Sequence, residues 1–117
     1  MGFMMPKKPI SPPPVVAEAL VVLGQRIRLG RQGLRWTASE LAARAGVSEP
    51  TVLASEAGKP GTAIGTVFTL ARLTGVPLFG IDDPAELSRL RRDGEREIAL
   101  LPSKVYHLSE GEPDAAF

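Results

Sequence analysis

The chain predicts an all-α domain of five helices, and three observations carry that prediction. From about Val16 onward, apolar residues recur at intervals of three, four and seven. Helix-starting residues precede these runs, and glycines follow them at Gly46, Gly58 and Gly75. The connections between runs are only a few residues long. Only SKVYHL, residues 103–108, has in part the composition of a strand.

Residues 1–14 hold five prolines, at 6, 9, 12, 13 and 14. A stretch so rich in proline is expected as a disordered, extended arm over residues 1–15. A first helix is expected from about Val16 to about Gln32, with Leu20, Leu23, Ile27 and Leu34 on its core face. Arg26, Arg28, Arg31 and Arg35 lie between them, and Gly30 and Gly33 are expected to loosen the helix end.

The sharpest local signal is Trp36-Thr37-Ala38-Ser39-Glu40-Leu41. Thr37 and Glu40 have the spacing of a capping box, in which each side chain satisfies the other residue's backbone N–H. Trp36 before the cap and Leu41 after it are placed to form a hydrophobic staple, so the only Trp reads as a structural clamp. A second helix then covers about Ala38 to Ala45 and stops at Gly46. Ser48 caps a third, about Glu49 to Ala57, with Pro50 in the first turn, where a missing N–H costs nothing. Thr62 is expected to cap a fourth helix with Ile64, Val67, Phe68 and Ala71 on one face. A fifth, from Pro84 to Leu101, places Leu87, Leu90, Ile98 and Leu101 inward, weakened by Gly94. The organisation expected is therefore an arm (1–15), a compact helical unit (16–81), a C-terminal helix with a dimerisation or interaction segment (82–108), and a flexible acidic tail (109–117).

Composition narrows the function. The chain has 117 residues, 23% of them charged, and no cysteine, so it holds neither a disulfide framework nor a thiolate metal site. No apolar run approaches the length of a membrane span, and the proline-studded N-terminus lacks the features of a secretory signal. A cytoplasmic protein is expected. The lone His107, with no phosphate loop or supported carboxylate pair, points away from an enzyme and from any cofactor or metal. The net charge of +1 conceals an asymmetry. Residues 1–81 carry nine Lys/Arg against four Asp/Glu, whereas residues 82–117 carry five against nine. Such segregation suits a basic face for a polyanion and an acidic region for another partner.

Two helices of about eight residues joined by a short turn containing Gly form a helix-turn-helix pattern. The segment LGQRIRLGRQGLRWTASELAARAGVSEPTVLASEAGKP resembles the lambda-repressor/Xre-type helix-turn-helix domain, over roughly residues 20–80. ELAARAGVS, followed by Thr51-Val52 and Glu56, is the strongest part of the match. The resemblance implies a structural ion pair between Arg31, near the end of helix 1, and Glu56, closing helix 3. It also implies contacts to double-stranded operator DNA from the start of helix 2 and the exposed face of helix 3. The family often places amides there, where this chain has Ala38, Glu49, Pro50 and Ala54. Leu53 stands where a small polar residue is usual, and Ser55 where an apolar one is usual.

Base readout is accordingly expected to be sparse, with Glu49, Thr51 and Ser55 as polar candidates and Pro50 or Ala54 touching thymine methyls. Grip is expected from Thr37, Ser48 and the helix N-terminal N–H groups, from Lys59, and from the helix 1 arginines, Arg31 among them.

Beyond the domain, SEAGKPGTAIGTVFTLARLTGVPL, a further helix, LLPSKV and an acidic end finishing in Phe117 are similar to antitoxins encoded with HipA-type kinase toxins. That similarity implies a homodimer that represses its own operon and holds a kinase inactive, with DAAF docking on the toxin. Two other readings stay open: a stand-alone Xre-type repressor, and an interaction module that kept the fold but lost DNA binding.

Overall fold

A computed structural model describes residues 11–105. Most of the expected arm, the acidic tail, His107 and the second half of SKVYHL lie outside them. Among the described residues there are five helices: α1 Pro14–Gly33, α2 Ala38–Ala45, α3 Glu49–Glu56, α4 Ile64–Leu73 and α5 Pro84–Ala99. No strand is present among these residues, and Ser103–Val105 are irregular. The chain divides into two units at Gly80/Ile81.

In the first unit, α1 starts at Pro14, two residues before the expected Val16. The ring of Pro14 already holds the φ of a first helical turn, and the N–H groups of Val16 and Ala17 both bond the Pro13 carbonyl. Thr37 and Glu40 form the capping box of α2, and Gly46 closes that helix at φ 71°. Ser48 accepts from the Thr51 N–H to cap α3.

The core is small. Ile27, Leu41, Val52 and Leu70 are fully buried, with Ala42 and Ala71 beside them. Each large side chain contributes about 1.5–3 kcal/mol by leaving water. Trp36 packs against this cluster from its edge, as a clamp would. The guanidinium of Arg44 lies 4.1 Å above its ring.

Several expected inward positions face solvent instead. Leu34 and Ile64 are exposed, because each stands at a helix end beyond the reach of the facing elements. Leu70, not Ile64, anchors α4. Thr62 does not cap α4, since its hydroxyl donates to the Lys59 carbonyl and Ala63 takes the N-cap position without a side-chain bond. Gly30 does more than loosen a helix end: a Cβ there would collide with the backbone of Thr74, so α1 and that turn meet through hydrogen alone.

The second unit contains α5, capped by Asp83, whose carboxylate accepts from the Ala85 N–H. Its flanks carry the ion pairs Arg91–Glu95 and Arg96–Asp93. None of its residues is buried: the inward placement expected for Leu90, Ile98 and Leu101 fails, and all three are exposed.

Candidate nucleic-acid interface

α3 has two unlike ends. At its C-terminal end, α1 crosses so closely that a Cβ on Gly24 would stand 2.5 Å from the carbonyl oxygens of Ser55 and Glu56. Gly58, at φ 74°, touches the backbone of Leu20 and Val21 in the same way. Across this crossing Arg31 forms a two-pronged pair with Glu56, Nε to Oε2 at 2.6 Å and Nη2 to Oε1 at 3.0 Å. Its remaining prong donates to the Trp36 carbonyl at 2.9 Å. The pair is nearly dry, with side chains 11% and 5% exposed. The hydrogen bond to Glu56 raises the Arg31 pKa above the ordinary arginine value, although burial opposes it.

Two residues expected at the DNA surface therefore leave it. Arg31 has all three guanidinium nitrogens bonded inside the fold and its side chain is 11% exposed, so it braces α1 on α3. Ser55 is buried, and its hydroxyl donates to the Thr51 carbonyl at 2.9 Å. The bond back to residue 51 satisfies the only polar group of its side chain.

The N-terminal end of α3 is open. Ser48, Pro50, Thr51 and Ala54 line one side of a groove of about 860 Å³ that opens to solvent, with Lys59 and Thr62 among the residues of the other side. Five of the residues predicted for DNA contact (Ser48, Pro50, Thr51, Ala54 and Lys59) are thus gathered around one groove. Glu49 is exposed on the same first turn but does not line the groove. Ala38 begins α2 and is half-buried against the core, so its methyl group serves packing. The opposite wall, from Pro60 to Thr66, was not foreseen: Thr62 reads as a cap, and Thr66 carries no local signal of its own.

Hydrogen bonding sets what this surface can give a polyanion. The Thr37 hydroxyl accepts from the Glu40 N–H and donates to the Glu40 carboxylate, so its one proton is spent within the cap. The hydroxyls of Ser48 and Thr51 bond each other at 2.8 Å. Two hydroxyls carry two protons and share one bond, so one proton remains for a phosphate oxygen. Pro50 has no N–H and the Thr51 N–H is taken by Ser48, leaving the Glu49 N–H as the first-turn donor the cap does not use. Lys59 adds a full charge at the groove rim.

A pair of eight-residue helices, the second braced at one end and offered to solvent at the other, is the frame of a DNA-reading helix-turn-helix. Residues 27–81 match the family model described as Helix-turn-helix, which supports a DNA-binding transcription regulator of the lambda-repressor/Xre type. That family is a regulatory one and not a family of enzymes. No curated protein and no solved structure gives a significant match. Among the described residues, no helix is long and apolar enough to cross a membrane.

Proposed function

We propose that the protein is an autoregulatory repressor that lays the groove face of α3 into the major groove of its operator as a homodimer. One observation carries this reading: Ser48, Pro50, Thr51, Ala54 and Lys59 line one open groove beside a helix fixed from behind. Phosphate grip comes from Lys59, the spare Ser48/Thr51 proton and the Glu49 N–H, and the Pro50 ring and the methyl groups of Thr51 and Ala54 face the base edges. With so few cations on the face, selectivity draws on DNA shape as well as on thymine methyls.

The resemblance of residues 55–117 to HipA-associated antitoxins supports a further role, in which the C-terminal region holds a kinase toxin inactive. A fluorescence anisotropy titration on the duplex upstream of the protein's own gene tests the DNA reading. Binding that weakens steeply with salt supports it, and no binding to any duplex at low salt overturns it. Copurification of a kinase-like protein with the tagged chain separates the antitoxin from a stand-alone repressor. A second reading has an observation of its own. The α3 surface presents Pro50, Ala54 and the half-exposed Leu53 with no Lys or Arg on the helix, which suits a protein-binding face. Failure of the titration selects this second reading.

A further inference from the structure

Two residues on the outward side of α3 are odd choices for a face that docks on a polyanion. Leu53 is 49% exposed, although the same helix buries Val52, Ser55 and Glu56 on its other side. Glu49 is exposed, and its carboxylate has no hydrogen bond or ion pair among the described residues. A carboxylate in a first turn suits the helix dipole, but on a duplex it meets the repulsion of the phosphates. At about 100° per residue, Leu53 falls between Glu49 and Pro50 around the helix. Side chains four residues apart on a helix are neighbours. The outward face of α3 therefore sets an unpaired carboxylate beside an apolar patch made by Leu53 and Pro50.

We infer that α3 selects cytosine, and 5-methylcytosine above all, with Glu49 reading the exocyclic amino group and Leu53 and Pro50 covering the C5 methyl. This inference rests on the DNA reading of the proposed function and names the base that the helix selects. In the major groove guanine shows two acceptors, thymine an acceptor and a methyl group, and adenine an acceptor beside its donor. Cytosine alone shows a donor with no acceptor on its own edge. A carboxylate accepts hydrogen bonds and donates none, so cytosine is the base that best offsets the repulsion Glu49 meets.

The C5 carbon of cytosine is bonded to the carbon that carries the amino group, so its substituent stands directly beside the donor. Plain cytosine has only a hydrogen there, and Leu53 stays partly wet. A methyl group at C5 fills that space and takes apolar surface of both partners out of water. Thymine carries the same methyl but puts an acceptor oxygen where cytosine has its amino group, and Glu49 repels it. Glu49 and Leu53 together thus tell the two methylated pyrimidines apart, which apolar contacts alone cannot do. Thymine methyls remain targets for Thr51 and Ala54, farther round the helix. Occupancy of the operator then rises once a C5 methyltransferase has acted on it.

Fluorescence anisotropy on the duplex upstream of the protein's own gene, synthesised with cytosine, 5-methylcytosine or N4-methylcytosine, tests this reading. N4-methylation replaces the donor that faces the groove with a methyl group. The 5-methyl duplex should bind more tightly than the plain one, by about fourfold for each methyl buried. The N4-methyl duplex should bind at least about fivefold more weakly. Two variants separate the contributions. Leu53→Ala should lose most of the 5-methyl gain and keep the N4-methyl penalty. Glu49→Ala should do the opposite, and should bind unrelated DNA more tightly because a charge that repels phosphate is gone. Both residues are exposed, so the thermal midpoints should move little. A merely structural role for either residue would shift all three duplexes alike. Equal affinity for the plain and 5-methyl duplexes, a 5-methyl gain that survives Leu53→Ala, or an N4-methyl penalty that survives Glu49→Ala would overturn the inference. Salt-sensitive binding that ignores both modifications sinks the base selection and leaves the DNA reading intact, whereas no binding to any of the three at low salt sinks both.

Discussion

The two ends of α3 obey different rules. Its C-terminal end is fixed by contacts that permit almost no substitution: Gly24 against the Ser55 and Glu56 carbonyls, Gly58 against Leu20 and Val21, and Arg31 on Glu56. Its N-terminal end has hydroxyls, a proline ring and methyl groups lining an open groove. Six residues separate Ser48 from the Ala54–Ser55 step, yet one end belongs to the fold and the other to whatever docks there. A reading head needs this division. The helix must be held from behind, so that substitutions in front change the target and leave the scaffold alone.

The largest expected effect comes from breaking the rear lock. Glu56→Ala leaves the Arg31 charge nearly dry with no carboxylate, and breaking a buried pair in this way costs about 3–5 kcal/mol. Urea denaturation should show a midpoint shift of that size with little change in slope. The double variant Arg31→Met/Glu56→Leu removes both charges and should recover most of the loss. If the double variant is as unstable as the single one, the pair stabilises through geometry, which packing cannot replace. Because the hydrogen bond raises the Arg31 pKa, the arginine's contribution is fully present below its ordinary value and is lost only as pH rises through the folded one. Loss of stability between neutral pH and pH 9 would therefore have another source. Next in size is Gly24→Ala, which pushes α1 off α3 and should cost about 1–3 kcal/mol. It touches no residue of the groove, so any loss of DNA binding should follow the loss of folded protein.

This division also explains what was legible in the sequence. The capping box at Thr37 and Glu40 and the cap at Ser48 are local chemistry, written within four residues, and they stand where they were read. The Arg31–Glu56 pair spans 25 residues and was reached only through the family resemblance. Close approach was not legible: Gly30 read as a loose helix end because nothing local reveals that Thr74 lies against it. Ser55 was misplaced for the same reason. Whether a serine on a short helix faces a groove or a neighbouring helix depends on the crossing angle of α1, and periodicity over eight residues cannot supply that. The residues of the groove from Pro60 to Thr66 have no signal of their own in the sequence, because most of them belong to a connection whose path no repeat encodes. In α5 the helix itself is legible, but it ends at Ala99 before Leu101, and Leu90 and Ile98 are exposed, since apolar spacing alone does not say what covers a stripe.

Substitutions at the open end sharpen the comparison with smaller effects. Ser48→Ala removes a cap and should cost about 1 kcal/mol of stability. It also removes one hydroxyl of the Ser48/Thr51 pair, so operator affinity should fall further than stability alone explains. Lys59→Ala should leave the melting temperature unchanged and lower the slope of log affinity against log salt by about 1, the signature of one phosphate contact. An unchanged slope would move Lys59 out of the interface, and the grip would then rest on hydroxyls and backbone alone.

The smallest effect is expected at Arg35, where stability and binding can be read separately. Arg35 follows α1 with φ 60°, and the Trp36 N–H beyond it returns to the Arg31 carbonyl, closing the helix in the manner usually left to glycine. A side chain in that conformation is strained by about 1 kcal/mol, whereas glycine adopts it freely but loses more freedom on folding. Arg35→Gly should therefore stabilise the domain by less than about 1 kcal/mol, seen as a small rise in the denaturation midpoint. The same variant asks whether the strain has a use. A salt slope lowered by about 1 would make Arg35 a phosphate contact held in place at a cost in stability. With an unchanged slope, the strained arginine belongs to neither end of the comparison, and the basic face narrows to the groove rim.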